Sequence, residues 1–196
     1  MAQHSPPLTG ITVIALEHAI AAPLATRQLA ELGARVIKIE RTDGGDFARH
    51  YDSRARGLSS HFVWTNRSKE SLTLDLKQAA GLNVLNTLLS TADVFIQNLA
   101  PGAAIKMGLD KQTLAVRNPK LIVCDISGYG SSGPHSSRKA YDLLIQAEAG
   151  FLGITGNQAQ GAKSGISIAD IAAGTQAHAA ILAALIQRGK TGLGSH

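Results

Sequence analysis

Apolar and polar positions alternate along this chain in short blocks, and the period of each block predicts an element. "ITVIAL" (11–16) is a β-branched run bounded by Gly10 and by Glu17 and His18, the pattern of a strand buried on both faces. "APLATRQLAELGA" (22–34) follows with Pro23 early and Gly33 late, which predicts a helix, and "RVIKIE" (35–40) is a second strand. Strand, helix and strand within thirty residues make a βαβ unit with a right-handed crossover. Residues 41–68, rich in Gly, Asp, Arg and Ser, hold no period and predict a long surface excursion. "SLTLDL" (71–76) alternates as a strand does, "QAAGLNVLNTLLSTA" (78–92) carries a helical stripe, and "DVFIQN" (93–98) and "LIVCDIS" (121–127) are further buried strands. Short helices around "PGAAIKMG" and "KQTLAVRN" fall between those two.

After the turn "GYGSSGP" (128–134) the strands stop. "YDLLIQAEAGFLGIT" (141–155) and "SIADIAAGTQAHAAILAALIQRG" (167–189) predict helices, the second rich in small residues and buried along most of its length. The whole pattern predicts an α/β fold: an open, mostly parallel Rossmann-like sheet with helices on both faces, ending in a buried small-residue helix. The chain closes on "KTGLGSH", where a further strand would be expected, so it reads as part of a longer protein.

Composition narrows this picture. The 196 residues, 44% hydrophobic, suffice for one substantial core and not comfortably for two domains. A formal charge of +5 arises from scattered Lys and Arg, which favours an anionic small ligand. With four Phe, three Tyr and one Trp there is little for bases to stack on, which argues against a nucleic-acid partner. Cys124 is the single cysteine, so no intrachain disulfide is expected and the cytoplasm is the default compartment. "MAQHSPPLTG" (1–10) lacks the features of a signal peptide, and no apolar run approaches the ~20 residues of a membrane span, so no membrane is expected as a partner.

Several chemistries are disfavoured by what the motifs lack. The first βα turn reads "LEHAIAAP", with none of the glycines that bring backbone close to a pyrophosphate, so a dinucleotide site is not expected; Glu40 reads as a solvated strand-end acid. No P-loop, H-E-x-x-H or G-x-S-x-G occurs, and the seven histidines are dispersed, so no metal site is expected. His178 reads as a packed helical histidine. Asp170 in "SGISIADIAAG" (164–174) is ambiguous: with Ser167 it forms S-x-x-D, a capping box, yet a carboxylate kept ionised by a helix N-terminus among apolar neighbours also suits nucleophilic catalysis.

Taken in order, "PLTGITVIALEHAIAAP", "LGARVIKIER", "GGDFAR", "NRSKESLTLDLK", "ADVFIQNLAPGAAIKMGL", "NPKLIVCDISGYGSSGP", "AYDLLIQAEAGFLGITG" and "GISIADIAAGTQAHAAILAAL" resemble the class III CoA-transferases, the CaiB/BaiF family, over essentially the whole chain. The resemblance implies that Asp170 is the nucleophile, passing through an aspartyl anhydride and an aspartyl-CoA thioester. Coenzyme A or acyl-CoA would be a substrate rather than a resident cofactor, and the other partner a carboxylic acid, with a small dicarboxylate the expected acceptor. His18 and Ile20 are implied near the thioester, and Arg41, Leu74, Lys77, Asn98, Lys106, Met107 and Lys139 in CoA binding. Some relatives carry Gln where this chain has Ile20. The racemase branch places His where this chain has Tyr141, which disfavours an α-methylacyl-CoA racemase. A non-catalytic binding or assembly fragment is the third reading. Family members continue with a smaller domain and a return segment and form interlocked homodimers, so residues 1–196 would be the N-terminal part of the large CoA-binding domain.

Overall fold

The computed structural model describes residues 5–196; residues 1–4, part of the stretch read as lacking a signal peptide, lie outside the described residues. Five parallel strands, β1 (Thr12–Leu16), β2 (Arg35–Glu40), β3 (Glu70–Thr73), β4 (Val94–Gln97) and β5 (Ile122–Asp125), are ordered β3-β2-β1-β4-β5. Register runs from Thr12 opposite Arg35 on one side of β1 and from Val13 opposite Val94 on the other.

The continuous apolar runs arise because both faces of this sheet are covered. Val13, Ala15, Val36, Val94, Ile96 and Ile122 face helices α1 (Ala21–Glu31) and α8 (Ile168–Thr191) through Ala22, Ala25, Leu29, Ala177 and Ile181. Ile14, Leu16, Ile37, Ile39, Phe95 and Val123 face the other layer through Leu85 and Leu89 of α3 (Ala79–Thr91) and Leu114 of α5 (Lys111–Arg117). The remaining helices are short: α2 (Ser60–Asn66), α4 (Ala103–Lys106), α6 (Asp142–Glu148) and α7 (Phe151–Ile154).

Four local readings change. The single helix expected over 141–155 is divided into α6 and α7 by Gly150, whose φ of 78° suits a left-handed residue. Segment 41–68 is no mere surface excursion: it folds into a 3-10 turn (Phe47–His50) and α2, and its Asp46 and Thr65 are fully buried. Glu40 is not solvated. Although burial alone would raise its pKa, Arg49 Nη2 at 2.6 Å, Ser71 Oγ at 2.7 Å and the Asp46 N–H at 2.9 Å hold the carboxyl well below the usual carboxylate range. Its oxygens serve to tie the 44–50 loop to the sheet.

The fourth concerns α8. Its 24 residues are long and apolar enough, by length and composition, to cross a membrane, contrary to the reading that no such run exists. Burial on α8 is confined to Gly174, Ala177 and Ile181, a stripe at helical spacing that faces α1 and the sheet, and His178 is half-buried beside it. The small residues permit a close crossing: a Cβ on Gly174 would meet the Ala21 carbonyl oxygen at 2.5 Å. Gly174→Ala is therefore expected to destabilise, because overpacking of about 1–3 kcal/mol outweighs a helix-propensity gain of about 1 kcal/mol. A lowered urea midpoint checks this; an unchanged one would mean that α1 and α8 separate without cost.

Candidate active site

In an open parallel sheet, ligands bind beyond the carboxyl ends of the strands where the strand order reverses, here between β1 and β4. The loops leaving those strands are locked together at that point. The His18 N–H donates to Asn98 Oδ1 and Asn98 Nδ2 donates to the His18 carbonyl, both at 2.9 Å. Above them opens a cleft of about 990 Å³ that also reaches the 3-10 turn, α2, the 126–128 loop and the starts of α6 and α8.

The floor of the cleft is the turn His18-Ala19-Ile20, which ends β1 and begins α1. Ala19 has φ of 61°, a left-handed conformation that costs a non-glycine residue about 1–2 kcal/mol. Its N–H donates to Asp46 Oδ1 at 3.1 Å. His18 stacks on Phe47 with ring centroids 5.3 Å apart, and its Nδ1 is buried without a hydrogen-bond partner. Burial lowers the pKa of this imidazole, opposed by Asp46 and assisted by Lys38 and Arg41, so at pH 7 His18 is a neutral group.

Across the cleft stands the first turn of α8. The Ser167–Asp170 capping box does not form: Ser167 occupies the N-cap position without a side-chain hydrogen bond. The cap comes instead from Asp142 at the head of α6, whose Oδ1 accepts the N–H of Ala169 at 2.8 Å and of Asp170 at 3.2 Å. Asp170 is thereby released from capping and its carboxylate is left to the cleft. Burial first, and the negative charge of Asp142 second, push its pKa up to about 6, against the expectation that the helix end holds it low. At pH 7 it is still mostly ionised, and a carboxylate with raised pKa is a stronger base and nucleophile than one in water. Burial and the carboxylates of Asp46 and Asp170 push the phenol of Tyr51, which lines the same cleft, up to about 12, so it is protonated at neutral pH. Arg41, Lys139 and Lys163 line the same cleft and are exposed, giving it a positive rim suited to an anionic ligand. Among the described residues no cluster of His, Cys, Asp or Glu could hold a metal ion.

Residues 8–196 match the model of CoA-transferase family III. The chain belongs to that family. The succinate–glutarate CoA-transferase of Agrobacterium fabrum is 41% identical over 100% of this chain and 51% of its own length. The human succinyl-CoA:glutarate CoA-transferase is 37% identical over 96% of this chain and 43% of its own. Among solved structures, a CaiB/BaiF family protein from Brucella suis superposes with a TM-score of 0.92 at 37% identity, covering 98% of this chain and 52% of that one. The chain thus spans about half the length of the family III relatives it matches.

Of the residues that the resemblance singled out, His18, Ile20, Arg41, Asn98, Lys139 and Asp170 all line the one cleft. Leu74, Lys77, Lys106 and Met107 do not. Leu74 and Met107 pack against the second core layer, while Lys77, in the turn after β3, and Lys106, at the end of α4, are exposed. Tyr141 lines the cleft with a phenol, not an imidazole. Four residues of the cleft and its support, Asp46, Tyr51, Asp142 and Lys163, carry no signal in the local spacing of the sequence. The signal that could find Asp46 is its place in "GGDFAR", one of the segments that resemble the family.

Proposed function

We propose that this chain carries the catalytic aspartate and much of the coenzyme A site of an enzyme that moves CoA from an acyl-CoA thioester to a free carboxylic acid. The observation that carries the reading is Asp170: a half-buried carboxylate, freed from capping by Asp142, on the wall of a cleft with a cationic rim. An Asp170 oxygen attacks the thioester carbonyl and the C–S bond breaks, leaving a mixed anhydride and CoA thiolate. The thiolate attacks the Asp170 carbonyl, forming aspartyl-CoA thioester and expelling the donor as its carboxylate. The acceptor carboxylate then attacks that thioester, giving a second anhydride and thiolate. Attack of the thiolate on the acceptor carbonyl yields the new acyl-CoA and restores Asp170. One thioester is broken and one is formed, and one carboxylate is released for one consumed, so the exchange balances without ATP.

In this reading the His18–Ile20 turn meets the thioester, Arg41 and Lys139 meet the phosphates, and Leu74, Lys77, Asn98, Lys106 and Met107 contribute to the remainder of CoA. A small dicarboxylate is the proposed acceptor, supported by the relatives named for succinate and glutarate. The whole protein is proposed to be a cytoplasmic, interlocked homodimer. The phenol at Tyr141 gives a racemase no second base. The test is trapping: the natural full-length protein is mixed with succinyl-CoA, quenched with hydroxylamine and digested. A hydroxamate on the peptide that contains Asp170 is the expected result; its absence would sink the transferase reading.

A further inference from the structure

Behind the cleft floor lies a group of charges that the reaction scheme does not use. Lys38, in the middle of β2, and Asp46, Glu17 and Lys69 around it all have side chains no more than 2% exposed. Lys38 Nζ donates to Asp46 Oδ2 at 2.6 Å and to Asn66 Oδ1 at 2.7 Å. Lys69 Nζ donates to Glu17 Oε1 at 2.7 Å and to the Pro23 carbonyl at 2.8 Å, and Thr26 Oγ1 donates to Glu17 Oε2 at 2.6 Å. Two cations balance two anions, so the group is neutral as a whole, and its hydrogen bonds satisfy what burial would otherwise leave bare. An apolar core would stabilise at least as well, which raises the question of what the charges are for.

The answer lies in where Asp46 spends its second oxygen. Oδ2 is taken by Lys38, and Oδ1 accepts the N–H of Ala48 at 2.9 Å and the N–H of Ala19 at 3.1 Å. Ala19 is the left-handed residue of the cleft floor, between His18 and Ile20. Asp46 is itself held from behind, its N–H donating to Glu40 Oε2 at 2.9 Å. A chain of contacts therefore runs from β2 through Asp46 to the turn, and a conformation that alanine does not favour persists because its N–H has one fixed acceptor.

We propose that Asp46 is the positioning residue that holds the His18–Ile20 turn in its left-handed form and so sets His18 and Ile20 on the cleft floor. Its catalytic consequence rests on the transferase reading; its conformational content does not.

The test compares two charge-balanced double variants of the full-length protein. K38M/D46N keeps an oxygen for the Ala19 N–H, K38M/D46L removes it, and in both the Glu17–Lys69 pair remains neutral. Amide hydrogen exchange at Ala19 and Ile20 is expected to be on the order of tenfold faster in the leucine variant than in the asparagine one. The Asp170 hydroxamate should form on the order of tenfold or more slowly in the leucine variant, the loss falling on the maximal labelling rate rather than on the half-saturating succinyl-CoA concentration. The asparagine variant should recover most of that loss. K38M/D46A, which also removes the oxygen, supplies the same contrast if the leucine variant does not fold. Equal exchange in the two variants would overturn the assignment, and faster exchange with unchanged labelling would overturn its catalytic consequence. Absence of label in the wild-type protein would instead overturn the transferase reading, while the exchange ratio still decides whether Asp46 holds the turn.

Discussion

Replacing Asp170 by asparagine is expected to abolish transfer, by on the order of 10³-fold or more, and at the same time to make the folded protein more stable at neutral pH. The first effect follows because an amide oxygen cannot form the anhydride. The second follows from the direction of the pKa shift. Burial and Asp142 raise Asp170 from 3.8 to about 6, so between those values the folded state binds a proton that the unfolded state has released. Stability therefore falls as pH rises from about 4 to 6, and above 6 the ionised carboxylate is a standing cost. With the side chain partly open to solvent, that cost is on the order of 1–2 kcal/mol. Asparagine carries no charge and avoids it. Urea unfolding of both proteins at pH 4 and pH 7.5 checks the argument: the midpoints should nearly coincide in acid and diverge at neutrality, with the variant higher. A variant equally or less stable at pH 7.5 would mean that the site does not strain its carboxylate.

How much of this was visible in the sequence depends on how far apart the interacting residues lie. β1 and β2 were legible to within a residue because a strand buried on both faces leaves an uninterrupted apolar run, and the flanking glycines and prolines marked α1. Lys38 breaks that run in "RVIKIE" and invites a solvent-facing reading, yet it is buried because its partners Asp46 and Asn66 arrive from a segment without any period. Glu40 misleads for the same reason, since Arg49 and Ser71 lie beyond the strand that bears it. A periodicity argument sees one element at a time, and this polar network spans four. The Asp170 region shows the same limit: Ser167 offered a cap three residues away, whereas the acceptor that the helix uses is 27 residues from Ala169. Local spacing left Asp170 undecided between cap and nucleophile. The resemblance over the whole chain singled it out as the nucleophile, and only the geometry of Asp142 removes the capping role.

That geometry makes Asp142 the second position where a single change should have a large and divided effect. Its Oδ1 caps α8 and its charge raises the Asp170 pKa, so the two roles separate in two variants. Asp142→Asn keeps an oxygen for the Ala169 and Asp170 N–H groups but loses the charge. The acid limb of the labelling rate, expected near pH 6 in the wild type, should then move to lower pH. It should not reach the ordinary aspartate value, because burial is the larger cause and remains. A cost of about 1 kcal/mol is expected as well: Gln146 Nε2 donates to Asp142 Oδ2 at 2.6 Å and would meet an NH₂ group, and turning the amide would abandon the Ser164 N–H that its oxygen accepts. Asp142→Ala removes charge and cap together. It should shift the acid limb in the same direction and lose about 1–2 kcal/mol of stability for the missing cap alone. Labelling rates between pH 4.5 and 8, with urea midpoints at pH 7, distinguish the roles. An acid limb that stays at the wild-type pH in both variants would show that Asp142 does not tune Asp170, leaving burial as the sole cause of its raised pKa.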